Sequence, residues 1–268
     1  VSMDYYPVEG KSSEIQRAFF VDGQLPYEEL SLIELNRIWV TDVQDTYTDK
    51  NGVVVKAWET DNQGFQVKPE AIEAPEWVNT YLYDSNGYIT SPLEIYLEAG
   101  THTLSVMSLK EPMLIHEITF KNPAEVDDYA TTKAAWDAAG ATATSGQMVR
   151  IEGENATKMS SQMLYPRQDQ SSPAVYPSSP KLLLNNTIGG TSWQDAGQWI
   201  EWDFDVAESG YYNIAAYCKQ NFVRGIDVCR KIYIDDEVPF TEMNDYGFSY
   251  EQNWRKEVIS DDDGNAYD

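Results

Sequence analysis

The sequence predicts an all-β protein, a β-sandwich built as two related modules joined by a short helical linker. Three observations carry that expectation. Apolar residues alternate in short runs between Gly, Pro and Asp turns, as half-buried strands do. One segment recurs far downstream with its spacing intact. Only one stretch has the composition of a helix.

The recurring segment begins at Arg17-Ala-Phe-Phe-Val-Asp22-Gly-Gln-Leu-Pro26-Tyr-Glu-Glu29-Leu30 and returns as Arg230-Lys-Ile-Tyr-Ile-Asp235-Asp-Glu-Val-Pro239-Phe-Thr-Glu242-Met243, 213 residues later and without a gap. Arg, Asp, Pro and Glu repeat, and Phe19/Ile232, Val21/Ile234, Leu25/Val238, Tyr27/Phe240 and Leu30/Met243 keep their character. This reads as a strand, a tight Asp turn and a short strand halted by proline. Period-2 parity puts the arginine on the core face, so Glu29 and Glu242 are the expected carboxylate partners. Each copy runs on to a tryptophan (Trp39, Trp254) and an Asp-rich turn (Asp49-Lys-Asn-Gly52, Asp261-Asp-Asp-Gly264).

The same offset means that residues 148–213 have no counterpart before Val1, and residues 56–120 none after Asp268. The plain reading is a segment clipped from a longer protein, with Val1 falling inside a strand; the less favoured one is that the two partial copies complete each other. Modules are expected at 1–122 (N-terminal part missing) and 147–268 (C-terminal part missing). The linker, 123–146, holds an alanine-rich helix from Pro123 to Gly140, acidic at its start and closed by glycine. Strands are expected over Pro92–Gly100, Thr101–Met107 and Met113–Phe120. Ile200, Trp202, Phe204 and Val206 share an expected core face. Parity places Cys218 and Cys229 on opposite faces, predicting two thiols and no disulfide.

Composition narrows the function. Acidic residues outnumber basic ones 44 to 19, a formal charge of −25. That field repels phosphate backbones and anionic membranes, so nucleic acid is a poor partner. No apolar run is long enough to span a bilayer, which predicts no membrane insertion. Two histidines leave little imidazole for catalysis, and both sit in strand-like runs where structural roles are expected. No nucleophile elbow, phosphate loop or His-Glu-x-x-His helix occurs, so no enzyme is expected. Eighteen Tyr and eight Trp exceed what cores use, leaving a surplus for surface contacts.

Three further stretches carry a resemblance: Ile151-Glu-Gly-Glu-Asn-Ala156, Ile188-Gly-Gly-Thr-Ser-Trp193, and Gly197-Gln-Trp-Ile-Glu-Trp-Asp-Phe-Asp-Val206 on to Gly210-Tyr-Tyr-Asn-Ile214. They resemble the galactose-binding-like jelly roll of carbohydrate-binding module families 6 and 35. They are more closely similar to tandem modules carried by extracellular solute-binding proteins of sugar transporters in Gram-positive gut bacteria. Glu9-Gly-Lys11, Asp84-Ser-Asn-Gly-Tyr88, the run from Pro92 through His102 to Leu104, and Glu111-Pro-Met113 suggest the same group in the first copy. These are mainly fold motifs. The resemblance implies an extracellular or cell-surface bacterial protein that binds polysaccharide or oligosaccharide, alongside other domains or subunits of a sugar-uptake system. It also implies structural calcium at Glu152 and Glu154, whose hard oxygens suit that ion.

Sugar recognition needs a flat apolar ring for the pyranose face and planar polar groups for its hydroxyls. The candidates are Arg37, Trp39 and Trp77 in the first copy, and Asn221, Arg224, Tyr250 and Trp254 in the second. The acidic turns Asp45/Asp49/Asn51 and Asp261/Asp262/Asp263 resemble calcium loops weakly and hairpin turns better. The rival expectations are structural or adhesion modules that bind no sugar, and an accessory region of a glycoside hydrolase.

Overall fold

The structure, a computed structural model, describes residues 1–10, 13–43, 45–122 and 125–258, the last four as backbone alone. The turn at Asp261–Gly264 lies outside the described residues. Among the described residues, strands in several antiparallel sheets and one α-helix make the fold all-β. The described residues fall into two compact units, 1–122 with 152–168 and 180–203, and 125–151 with 169–179 and 204–258.

The first unit holds β1 (Ser2–Pro7), β2 (Ile15–Val21), β3 (Ile33–Leu35), β4 (Trp39–Thr41), β5 (Thr46–Thr48), β6 (Val54–Lys56), β7 (Ala71–Glu73), β8 (Val78–Tyr81), β9 (Leu104–Lys110), β10 (Met113–Thr119), β11 (Lys158–Met159) and β12 (Ile200–Glu201). Its main core joins two three-stranded sheets, β10-β1-β8 and β3-β2-β9. Met3 and Tyr5 from one sheet and Ile15, Phe19, Ile33 and Leu35 from the other are buried together, with Leu82 and Leu93. Alternation along each strand produces this: Asp4 and Tyr6, between and beyond the core residues of β1, are left on its outer side.

A second core forms where β11 pairs with β4, Met159 opposite Trp39, in the sheet β12-β11-β4-β7. Residues 152–168 and 180–203, assigned from sequence to a module beginning at 147, thus pack with the first copy. Trp202 packs here and donates from Nε1 to the Gly153 carbonyl at 3.0 Å. Phe204 and Val206 do not share its burial: they are 49% and 48% exposed, because the strand stops at Glu201.

The second unit holds α1 (Tyr129–Ala138), β13 (Ala215–Cys218), β14 (Val228–Arg230), β15 (Tyr246–Phe248) and β16 (Arg255–Val258). Asp128 caps α1 by accepting from the Thr131 amide at 2.8 Å, so the acidic residues precede the helix and do not occupy its first turn. Gly140, at φ 88°, follows its end.

The repeated segment folds alike in both copies. β2 pairs with β3 through Ile15↔Leu35 and Arg17↔Ile33, and β14 with β15 through Val228↔Phe248 and Arg230↔Tyr246. The bridge Val21↔Gln24 recurs as Ile234↔Glu237. Asp22 and Asp235 both adopt φ 51°, which aspartate tolerates better than most residues. The 3-10 turn Glu28–Ser31 returns as Thr241–Asn244.

Four expectations change. Pro92–Gly100 is not a strand, although Leu93 and Ile95 pack on the core and the Leu93 amide donates to Leu82 at 2.8 Å. Arg17 does not pair with Glu29. Its guanidinium donates to the carbonyls of Gln16 (2.7 Å), Lys110 (2.8 Å) and Glu111 (2.8 Å), gripping the turn of the β9–β10 hairpin. Glu242 instead accepts from the Tyr129 amide at the start of α1. The two cysteines form no disulfide, with Cys218 half-buried and Cys229 exposed as parity requires. Yet β13 and β14 lie in different sheets, so the face relation holds without the direct pairing assumed for them.

His102 ties the Asp22 turn to the chain before β9. Its ring contacts Asp22 Oδ2 at 2.7 Å and the Glu98 carbonyl at 2.8 Å, and those bonds push its pKa up. The Asp49 turn is a hairpin between β5 and β6, with Asp49 Oδ1 accepting the Asn51 and Val53 amides. Replacing the buried Arg17 strands three carbonyls, so Arg17→Ala is expected to cost about 2–3 kcal/mol in urea unfolding.

Candidate functional site

Arg37 and Trp39 lie in the interior, which corrects their expected place on a ligand surface. Arg37 is 2% exposed; it donates to the carbonyls of Ser13 (2.7 Å) and Val8 (2.8 Å) and pairs with Glu73. Trp39, 7% exposed, is covered by Met159 and Leu164. Trp39 is buried because β11 lies along β4, and Arg37 because the Ser13 and Val8 carbonyls and Glu73 hold its guanidinium inside.

Trp77 is different: it is 54% exposed, immediately before β8. Val78 faces the core, so alternation sends Trp77 and Asn79 to the outer side of the sheet. There Tyr6 lies 5.5 Å from the Trp77 ring and His116 meets it edge-on at 5.7 Å. Asn79 donates to Asp4, and the His116 Nδ1 lies 3.5 Å from the other Asp4 oxygen. Further along, the Lys121 ammonium sits 4.8 Å from the Tyr81 ring. Stepping from Tyr6 to Ser2 covers about 13 Å at strand rise. This strip offers stacking rings, a carboxylate, an amide, an imidazole and an ammonium. Tyr6, Asp4 and Asn79 were missed from sequence. The alternation of Met3-Asp4-Tyr5-Tyr6 held the signal, since it fixes which tyrosine is buried.

The second unit gathers Trp254 with side chains far from it in sequence. Tyr217 lies 5.6 Å from its ring at 39°, the Lys219 ammonium sits 4.9 Å from the ring, and Nε1 donates to Ser171 Oγ at 3.2 Å. Lys219 also pairs with Asp169 at 2.5 Å. The next loop, carrying exposed Asn221 and Arg224, is shaped by Gln220, whose Oε1 accepts the Phe222 and Val223 amides. The Glu251 amide donates to the Gln220 carbonyl at 2.7 Å, bringing this loop beside Tyr250. Tyr250 accepts from Gln252 at 2.8 Å. A small cleft is lined by Lys219, Gln220, Phe248, Ser249 and Glu251. The Trp254 group is thus brought together, but one ring face is given to the lysine. Lys219, Asp169 and Ser171 carried no sequence signal.

Glu152 and Glu154 are both buried, flanking and within the 3-10 turn Gly153–Asn155. Their carboxylates and Asn155 Oδ1 are hard oxygens of the kind calcium takes. Among the described residues no group of three or more His, Cys, Asp or Glu gathers to hold a metal, so further ligands would have to be backbone carbonyls or water. A cation of the chain's own stands close by. Lys56 donates to Thr41 Oγ1 (2.9 Å) and the Ala156 carbonyl (3.0 Å); burial lowers its pKa and the Glu154 charge opposes that.

Comparison with protein-family models, curated proteins and solved structures finds no match.

Burial works against the Asp169 charge, but hydrogen bonds from Lys219 and Ser171 outweigh it and hold its pKa at about 2. A depressed carboxylate contributes stability above its ordinary value of 3.8, and that contribution is lost as pH falls through about 2. Lys219→Met is expected to return the Asp169 titration, followed by NMR, toward the ordinary range.

Proposed function

We propose that this chain binds carbohydrate without turning it over, and that Trp77 is the centre of the binding surface. The observation that carries this is an exposed indole framed by Tyr6, His116, Asp4 and Asn79 on one face of a sheet. The indole takes the C–H face of a pyranose, and the polar groups take its hydroxyls. An open strip favours an oligosaccharide or polysaccharide laid along the strands over a single enclosed ring. The Trp254 group, with Asn221, Arg224 and Tyr250, is a secondary surface of similar chemistry.

Within this reading the chain is two related jelly-roll modules of an extracellular bacterial protein, working with other parts of a sugar-uptake system. The charge of −25 supports solubility outside the cell and disfavours nucleic acid. No helix among the described residues is long and apolar enough to cross a membrane. Calcium at Glu152 and Glu154 would be structural.

Titration with plant and host polysaccharides is expected to show weak saturable binding, because sugar hydroxyls give up good hydrogen bonds to water. Trp77→Ala should weaken it by about tenfold, or ~1.4 kcal/mol, and Trp39→Phe should leave it unchanged. Absence of binding across the panel would favour structural or adhesion modules, and released reducing ends would reinstate an enzyme. If calcium is held, chelation lowers the melting temperature. An unchanged curve, together with a loss of about 1–3 kcal/mol in Lys56→Met, would assign the counter-charge to the lysine.

A further inference from the structure

A cluster in the first unit shares no residue with the Trp77 strip, and three segments far apart in sequence build it. The Gln66 amide donates to the Leu183 carbonyl at 2.9 Å, and the Asn185 amide to Gln66 Oε1 at 2.7 Å. Asn185, 1% exposed, also donates from Nδ2 to the Val67 carbonyl at 3.2 Å, which fixes the residue before Lys68. Arg167 and Thr187 form an antiparallel bridge, with the Arg167 amide donating to the Thr187 carbonyl at 2.7 Å. The chain is extended there, so alternation turns Leu164 and Pro166 inward and sends Tyr165 and Arg167 together to the other side.

Two cations meet on one ring as a result. The Lys68 ammonium lies 3.9 Å from the centre of the Tyr165 ring, and the Arg167 guanidinium 4.8 Å from it. Neither forms an ion pair among the described residues, in a chain where acidic residues outnumber basic ones 44 to 19. Asp61, in the loop before Lys68, spends Oδ1 on the Gln63 and Phe65 amides. Arg167 donates from one terminal nitrogen to Ser192 Oγ, which aims its fork, and its enclosed Nε finds no acceptor among the described residues. We infer that Lys68, Tyr165 and Arg167 form a site for one tetrahedral oxyanion, the sulfate or phosphate ester group of a polar ligand. Two donors anchored on different segments suit a group with three acceptor oxygens better than a planar carboxylate with two. The ring face attracts both cations without neutralising either, so their charge remains for the ligand. The net charge of −25 does not forbid this. At physiological salt, charges are screened beyond about 8 Å, so a single group answers to the two cations beside it, while a long polyanion meets the whole field.

The test titrates the whole chain with sodium phosphate, sodium sulfate and sodium acetate at constant ionic strength, following the Arg167 Nε–H resonance by NMR. Phosphate or sulfate is expected to shift it saturably at about millimolar concentration, and acetate to bind at least about tenfold more weakly. Lys68→Gln, an exposed position, should weaken binding about tenfold without lowering the melting temperature, and Tyr165→Phe, which keeps the ring face, should retain it. Saturation by phosphate alone or by sulfate alone names the ester; saturation by both shows that the tetrahedral shape is read. The proposal is overturned by the absence of a saturable shift, by acetate binding as tightly as the tetrahedral ions, or by Lys68→Gln binding like the parent.

Discussion

The constraint behind this structure is that a strand, a tight turn and a 3-10 turn cannot bury their own apolar side. Phe19 and Ile15 reach complete burial only because a second sheet and the β9–β10 hairpin close over them. Arg17 makes that closure specific, since two of its three carbonyl acceptors, Lys110 and Glu111, are in place only when the hairpin turn is. A charged side chain on a core face thus reads the arrival of a distant element and fixes its register.

The parts legible in the sequence are those governed by local chemistry. The Asp turn, the proline stop and the face parity of Ile15, Phe19, Val228 and Ile232 depend on neighbours a few residues away, so the repeat could be aligned and its shape anticipated. The partner of Arg17 was not legible, because a guanidinium can donate to carbonyls as well as to the carboxylates it favours, and the carbonyls come from over ninety residues downstream. Trp39 was misplaced for a related reason. An aromatic in an alternating run looks the same whether a ligand or Met159 covers it, and pairing between β4 and β11 leaves no periodic mark.

The sites follow the same logic. Trp77 remains available because it precedes β8 on the side where alternation excludes it from the core, and it is 54% exposed among the described residues. Trp254 is held by Lys219 and Ser171, which leaves it less open. The Trp77 surface rests on a sheet whose central strand, β1, is held by backbone pairing on both sides, whereas the loop surface depends on single side chains such as Gln220.

The pairing of Trp39 with Met159 also sets an order of events during synthesis. Residues 1–122 contain most of the first unit, yet β11 and β12 emerge from the ribosome only after the linker helix. Until they do, β4 exposes the edge and indole that they later cover. At elongation rates of about 5–20 residues per second, the 120 residues from Trp39 to Met159 leave that edge uncovered for roughly 6–24 seconds. The nascent chain spends that interval with an open strand beside a tryptophan, when an unrelated strand could capture it.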